Sequence, residues 1–258
     1  MINLVGVPFE TEANFLRGAA LGPAHLRWHL WGIDEYSPLQ KTRMPSLHDA
    51  GDLWVNFDLK PEERLDRIAV RIKSLFARND PRKAPYLFLG GDHTITWATV
   101  RALRDWIGDF AVLHLDAHLD RWDDYGGRFS HATVMRRLEE EGFTVGTFGY
   151  RTVGSQEYVP KYGNMYDLSG ALDFVKTHGK VYLSLDVDVL DPSEFPCVSN
   201  PEPMGVRFVK LLKLLYALKG RLLGAEIVEY LPTLDHSHRC GSVGAILMRE
   251  LSIVLSAT

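Results

Sequence analysis

Asp116, His118 and Asp120 stand two residues apart in the run Leu113-His114-Leu115-Asp116-Ala117-His118-Leu119-Asp120. Side chains alternate faces along an extended strand, so this spacing predicts three metal-type ligands on one side. Oxygen and imidazole donors without a thiolate suit Mn²⁺ or a related first-row ion better than a structural zinc. Taken alone, the run reads equally as an edge strand with a solvated polar face, because strand carboxylates are usually exposed. The segment Ser184-Leu185-Asp186-Val187-Asp188-Val189-Leu190-Asp191-Pro192 weighs against that, since it repeats the spacing and sets Asp186 and Asp188 on one face at the end of an apolar strand. Asp191 falls off that parity and, followed by Pro192, reads as a turn residue. His93, after Tyr86-Leu87-Phe88-Leu89 and Gly90-Gly91-Asp92, is the sixth candidate ligand. Four carboxylates gathered in one place need compensation, and two divalent ions supply four positive charges.

Such residues need a scaffold that collects strand ends. The chain opens on a buried strand near Ile2, and Pro23 starts a helix running to about Trp31. Ser46 to Asp52 reads as a short strand and turn, and Pro61 to Phe76 has apolar residues at helical spacing. The pattern continues with strand Tyr86–Leu89, a helix from Thr94 to about Ile107, the ligand strand, and strand Thr144–Tyr150. A helix from Gly170 to Thr177 and strand Lys180–Asp186 come next, then helix Gly205–Leu218, strand Leu222–Val228 and helix Gly241–Leu255. Strands alternating with helices predict one α/β domain over 1–258, a three-layer α/β/α arrangement around a mainly parallel sheet. Ligands in such sheets sit beyond the carboxyl ends of the strands, where every polar cluster here falls.

Composition narrows the partners. A formal charge of −4 and a pI near 6.2 provide no basic field for nucleic acid. Val206 to Leu218, interrupted by Lys210 and Lys213, is too short to span a bilayer, so no membrane role is expected. Gly90-Gly91 belongs to no dinucleotide or phosphate-loop fingerprint. The two cysteines, Cys197 and Cys240, cannot build a disulfide framework. They suggest a reducing compartment, and the absence of a leader-like N-terminus suggests the cytoplasm.

Four motifs together resemble the ordered signature of the ureohydrolase family, which includes arginase, agmatinase and formimidoylglutamase. They are Gly90-Gly91-Asp92-His93, Asp116-Ala117-His118-Leu119-Asp120, Ser184 to Pro192, and Val228-Glu229-Tyr230-Leu231-Pro232. Gly6-Val7-Pro8-Phe9, Arg17 to Pro23 and Phe129-Ser130-His131-Ala132-Thr133 are similar to the agmatinase-like branch. The resemblance implies an arginase-like fold and two Mn²⁺ ions. One would be held by His93, Asp116, Asp120 and Asp186, the other by His118, Asp116, Asp186 and Asp188. It also implies hydrolysis of a linear guanidinium to urea and an amine. Asp120 would accept a hydrogen bond from the attacking water, Glu229 would bind the guanidinium, and His131 would move the proton to the departing amine. Relatives of this kind are commonly trimers or hexamers, and the leucine stripe Leu211, Leu212, Leu214, Leu215 and Leu218 is wide enough to face both core and neighbour.

Where agmatinase-like relatives have a glycine-rich Gly-Thr-Gly-Thr-Pro-Glu-Pro-Gly-Gly loop, this chain has Cys197-Val198-Ser199-Asn200-Pro201-Glu202-Pro203-Met204-Gly205. That change, with the compact stretch from Arg151 to Gly163, makes Asn200 and Arg151 candidate substrate contacts. It suggests a more open mouth for a larger guanidine, peptidyl or natural-product. Alternatives are a formimidoylglutamase-type or deacetylase-type C–N hydrolase, or a metal-binding protein without catalysis. His114 reads as a core or supporting histidine, His236 and His238 as a solvated loop, and Arg136 to Glu141 as an exposed helix face.

Overall fold

The computed structural model describes residues 1–257. Its elements in chain order are β1 (Ile2–Val7), α1 (Gly22–Leu30), β2 (Tyr36–Ser37), β3 (Thr42–Arg43), β4 (Leu47–Asp52), α2 (Pro61–Phe76), β5 (Tyr86–Gly90), α3 (Ile95–Ile107) and β6 (Ala111–Leu115). They continue with α4 (Val134–Glu140), β7 (Thr144–Tyr150), β8 (Tyr162–Met165), α5 (Ala171–His178), β9 (Val181–Asp186), α6 (Phe208–Ala217), β10 (Leu222–Val228) and α7 (Arg239–Leu255). The eight-stranded sheet runs β4-β1-β5-β10-β9-β6-β7-β8, and every pairing within it is parallel. β2 and β3 form a separate hairpin.

Strands buried on both faces read as continuous apolar runs, as Tyr86-Leu87-Phe88-Leu89 does. Two core clusters cover the two faces. One gathers Leu26, Leu211, Leu215, Leu247 and Leu251 against the sheet, and the other gathers Leu65, Ile72, Val100, Leu103 and Leu138 on the opposite side. The three-layer expectation therefore holds. β8 and the small hairpin carry too little apolar alternation to be read beforehand. Of the leucine stripe, Leu211, Leu212, Leu215 and Leu218 are buried in the chain's own core, and Leu214 packs partly buried against it.

The order β5-β10-β9-β6 fixes the site, because the four central strands are mutual neighbours and end together. His93, Glu229, Asp186 and Asp116 each lie at or just beyond one of those ends. Gly91 lets the β5 turn press against the chain at Phe9, whose carbonyl a Cβ would overlap. The glycine is required there for close approach rather than for an unusual φ.

Candidate metal centre and catalytic pocket

β6 ends at Leu115, so Asp116, His118 and Asp120 lie on the loop after the strand. The expectation that strand alternation aligns them is corrected accordingly: they converge because the loop turns, and Asp120 sits in the left-handed region at φ 54°. Asp186 is the last residue of β9, whereas Asp188 lies in a single 3-10 turn (Val187–Val189) whose second amide is capped by Asp186 Oδ1, which accepts the Asp188 N–H at 2.7 Å. Glu229 follows β10 at φ 67°, also left-handed. Backbone conformations that cost non-glycine residues energy cluster where function over-determines them, and of the six non-glycine residues at positive φ among the described residues, Asp120 and Glu229 are candidate site residues.

The six candidate ligands come together. His93 Nδ1 lies 3.0 Å from Asp116 Oδ2, 3.1 Å from Asp120 Oδ2 and 3.2 Å from Asp186 Oδ2. His118 Nδ1 lies 2.8 Å from Asp188 Oδ2 and 3.4 Å from Asp116 Oδ1. Asp116 thus turns one oxygen to each imidazole. Backbone amides steady the carboxylates: Ala117 N–H donates to Asp188 Oδ1 at 3.0 Å and His118 N–H to Asp116 Oδ1 at 2.5 Å.

His93 Nδ1 is buried and has no hydrogen-bond donor or acceptor of suitable geometry, although three carboxylate oxygens surround it. The other ring nitrogen explains this. His93 Nε2 is 2.8 Å from Ser184 Oγ, and Ser184 donates to Glu226 Oε1 at 2.7 Å. With the serine proton committed to Glu226, Nε2 carries the proton of the neutral ring, so Nδ1 faces the three anions either with a lone pair for a metal or, in the metal-free protein, with a second proton that they favour. A cation completes that arrangement, so the donor set fits a metal. Asp116, His118 and Asp188 form the second such group.

Electrostatics agree. Burial, then Asp188 and Asp116, push Asp186 well above the usual carboxylate range, and burial with Asp116 pushes Asp120 up to about 7. Burial alone would lower His93, but the carboxylates of Asp116, Asp120 and Asp186 raise it well above its ordinary value. Four acids this close demand positive charge. His114, Nε2 2.7 Å from Asp116 Oδ2, is pulled down to about 4 by burial, which outweighs its attraction to Asp116.

A cavity of about 420 Å³ opens over this cluster. His131 and Glu229 line it with Asn200, Phe15, Trp122 and Tyr125. Glu229 Oε1 accepts the His93 N–H at 2.7 Å, and burial followed by Asp92 raises its pKa well above the ordinary value. His131 opens a 3-10 turn after Ser130, packs edge-on to Tyr125 at 5.6 Å and leaves Nδ1 buried without a partner. Burial lowers its pKa, so the ring is neutral at neutral pH and able to accept a proton.

Arg151 does not line the cavity. Its guanidinium binds the carbonyls of Gly149, Asp188, Val189, Leu190, Glu202 and Pro203, which braces the Asp188 turn against the Glu202 loop. With its donors used and its charge like that of a guanidinium, it cannot be a substrate contact. The cysteine reading is also corrected: Cys197 and Cys240 form a disulfide, Cα atoms 6.2 Å apart, tying the pocket loop to the start of α7. Their count therefore says nothing for a reducing compartment. Arg137 is not on an exposed face but buried, 2.8 Å from Glu140 and 3.2 Å from Asp123. Sequence reasoning passed over Trp122, Tyr125, Phe15, Glu157 and Glu202 as pocket walls; only Glu202, in Pro-Glu-Pro, carried any signal.

A parallel α/β/α sheet whose central strands end in two carboxylate–imidazole groups, beneath a pocket with a buried acid and a neutral histidine, defines a metal-dependent hydrolase. The sequence model of the arginase family matches residues 1–253. Arginase 2, chloroplastic/mitochondrial, of Arabidopsis thaliana is 32% identical over 280 residues, covering 98% of this chain and 80% of that protein. Agmatinase of Bacillus subtilis is 29% identical over 266 residues, covering 96% and 89%. Proclavaminate amidino hydrolase from Streptomyces clavuligerus superposes with a TM-score of 0.87 at 25% identity, over 99% of this chain and 92% of that one. The chain belongs to the arginase family, hydrolases of guanidino carbon–nitrogen bonds that depend on a binuclear metal centre.

Proposed function

We propose that this protein is a dimanganese amidinohydrolase that converts a small linear guanidine and water into urea and an alkylammonium ion. The observation that carries the reading is Asp116, which faces His93 with one oxygen and His118 with the other, inside the cavity that Glu229 and His131 line. His93, Asp116, Asp120 and Asp186 would hold one ion and His118, Asp116, Asp186 and Asp188 the other. The all-oxygen-and-imidazole donor set supports manganese. Bound divalent ions supply charge neutralisation and acidify water to near neutrality.

The chain's own residues do the rest. Glu229 accepts the guanidinium N–H groups and orients the planar carbon toward the carboxylate cluster. Asp120 accepts a proton-bearing edge of the water and holds its lone pair on the carbon. Water adds to that carbon as the neutral His131 takes its proton, the carbon–nitrogen bond to the alkyl group breaks, and His131 returns that proton to the departing nitrogen, which leaves as an amine. The guanidinium's positive charge ends on the alkylammonium, and urea is neutral, so the charges balance.

Among the described residues lining the cavity none is Lys or Arg, whereas Glu157 and Glu202 are acidic and Phe15, Trp122 and Tyr125 aromatic. A carboxylate tail would find hydroxyl and amide donors in Ser199, Thr152 and Asn200 but no cationic partner there. The walls support a tail ending in an amine, as in agmatine, over arginine, guanidino acids or formimidoylglutamate. A capped guanidine is the second reading, favoured by Phe15, 76% exposed at the rim. Urea release by the Mn²⁺-loaded protein tests both: agmatine is expected to exceed arginine and 4-guanidinobutyrate in kcat/KM by at least about tenfold, the worth of one charge contact. A preference for a guanidino acid overturns the assignment, a preference for capped arginine selects the second reading, and acetate or formamide release would replace the chemistry altogether.

A further inference from the structure

His114 touches no substrate in the reaction above and stands outside the family's ligand set, yet it is fully buried against Asp116. It is one link in a longer chain of hydrogen bonds. Arg121 Nη1 is 2.8 Å from Thr147 Oγ1, Thr147 Oγ1 is 3.0 Å from His114 Nδ1, and His114 Nε2 is 2.7 Å from Asp116 Oδ2. Arg121, Thr147, His114 and Asp116 all have zero exposure.

The donor inventory sets the direction of every link. A guanidinium only donates, so Thr147 Oγ1 accepts from Arg121. The Asp116 carboxylate only accepts, so Nε2 of the neutral His114 ring donates to it, and Nδ1 is left to accept the single Thr147 hydroxyl proton. A neutral imidazole that accepts at Nδ1 carries its proton on Nε2, and that N–H points at Asp116. Arg121 is itself clamped: Nη1 also reaches the Leu119 carbonyl at 2.8 Å, and Nε and Nη2 hold Glu139 at 3.1 and 2.9 Å. Its backbone N–H donates at 2.8 Å to Glu157, a wall of the cavity.

We infer that Arg121, Thr147 and His114 are positioning residues for the metal centre, a relay that fixes the His114 tautomer so that one N–H permanently occupies Asp116 Oδ2 and aims the carboxylate at both imidazoles. The inference rests on the metal-centre reading above. Its distinctive consequence is that a buried hydroxyl which touches no ligand, that of Thr147, governs metal affinity. An Asp116 without that donor can rotate, and support of this kind is worth about 10–100-fold in affinity.

The test uses the full chain, stripped with a chelator and titrated with Mn²⁺ while free Mn²⁺ is read by electron paramagnetic resonance. Thr147→Val, which removes the hydroxyl at nearly constant volume, is expected to weaken binding about 10–100-fold, whereas Thr147→Ser, which keeps it, stays within about threefold of wild type. Metal-free melting, which a merely structural role would lower along with affinity, is expected to change far less than affinity in Thr147→Val. Wild-type affinity in Thr147→Val, or an equal loss in Thr147→Ser, overturns the relay. Should Thr147→Val fail to fold, the pair His114→Gln and His114→Leu decides: glutamine can accept from Thr147 and donate to Asp116, leucine can do neither, and equal affinities overturn the relay. Wild-type protein that takes up no Mn²⁺ overturns the metal-centre reading and the relay with it; wild-type uptake matched by Thr147→Val overturns the relay alone.

Discussion

Two buried acidic regions of this molecule are built on opposite principles. Glu250, on α7, is fully buried and its one carboxylate accepts five hydrogen bonds: Arg249 Nε and Nη2 on Oε1, and Ser37, Gln40 and Tyr216 on Oε2. At the strand ends, four carboxylates share three backbone amides and one imidazole N–H besides their contacts with His93 and His118. Among the described residues no Lys or Arg pairs with Asp116, Asp120, Asp186 or Asp188. The first region is saturated and serves stability. The second is left short of positive charge, an expensive condition that marks a site meant to receive a cation.

Removing the acid at the centre of the deficit should have the largest effect. Asp116→Ala takes a ligand from both groups at once, so Mn²⁺ uptake should vanish and urea release should fall by at least about 10³-fold, because two-metal chemistry supplies several kcal/mol of barrier lowering. Continued turnover in that variant would break the contrast outright.

The saturated region should respond the other way round. Glu250→Ala strands a buried arginine and three polar donors, for which the expected cost is about 3–5 kcal/mol of unfolding free energy. For a chain of this size that is a fall of roughly 6–20 °C in melting temperature. Folded protein should keep its kcat and its affinity for Mn²⁺, and a change in kcat with unchanged stability would erase the distinction between the two regions.

Metal addition sharpens the comparison further. At a free Mn²⁺ concentration about 100 times Kd the wild-type protein should gain about 2.7 kcal/mol for each of the two ions, a total rise of roughly 11–22 °C, and a chelator should reverse it. Asp116→Ala should show no such rise, while Glu250→Ala should show the full one from its lower baseline.

How far each region was legible beforehand follows from what each depends on. The residues of the acidic centre could be read because two short runs, 116–120 and 186–188, concentrate donor types that rarely recur at that spacing, and because apolar runs mark the strands they follow. The scaffold was equally readable where a helix is strongly periodic: Pro61 to Phe76 forms the expected element residue for residue. The reason offered for convergence was wrong in detail, since alternation stops with β6 at Leu115 and the turn at Asp120 has no periodicity to reveal it. Whatever depends on contacts between distant segments was invisible. Glu250 meets Ser37 across 213 residues and Cys197 meets Cys240 across 43, while Arg151 looked like a pocket residue until its carbonyl partners were placed around it.

The smallest predicted effect tests saturation itself through pH. Burial alone would raise Glu250, but hydrogen bonds from Gln40, Ser37, Arg249 and Tyr216 overcome it and hold the carboxyl below its ordinary value. A depressed folded-state pKa binds fewer protons than the unfolded chain, so the carboxylate stabilises the fold fully above the unfolded value near 4.3 and loses that contribution as pH falls through the folded one. The stability difference between wild type and Glu250→Gln, measured by urea unfolding of metal-free protein, should therefore be largest above about pH 5 and shrink steadily toward pH 3. The charge deficit at the strand ends is common to both proteins and cancels in that difference. A difference that stays flat across this range would mean that the five donors hold a neutral acid as well as a charged one. The saturated region would then owe its stability to shape and hydrogen-bond count alone, and its contrast with the metal centre would no longer be one of charge.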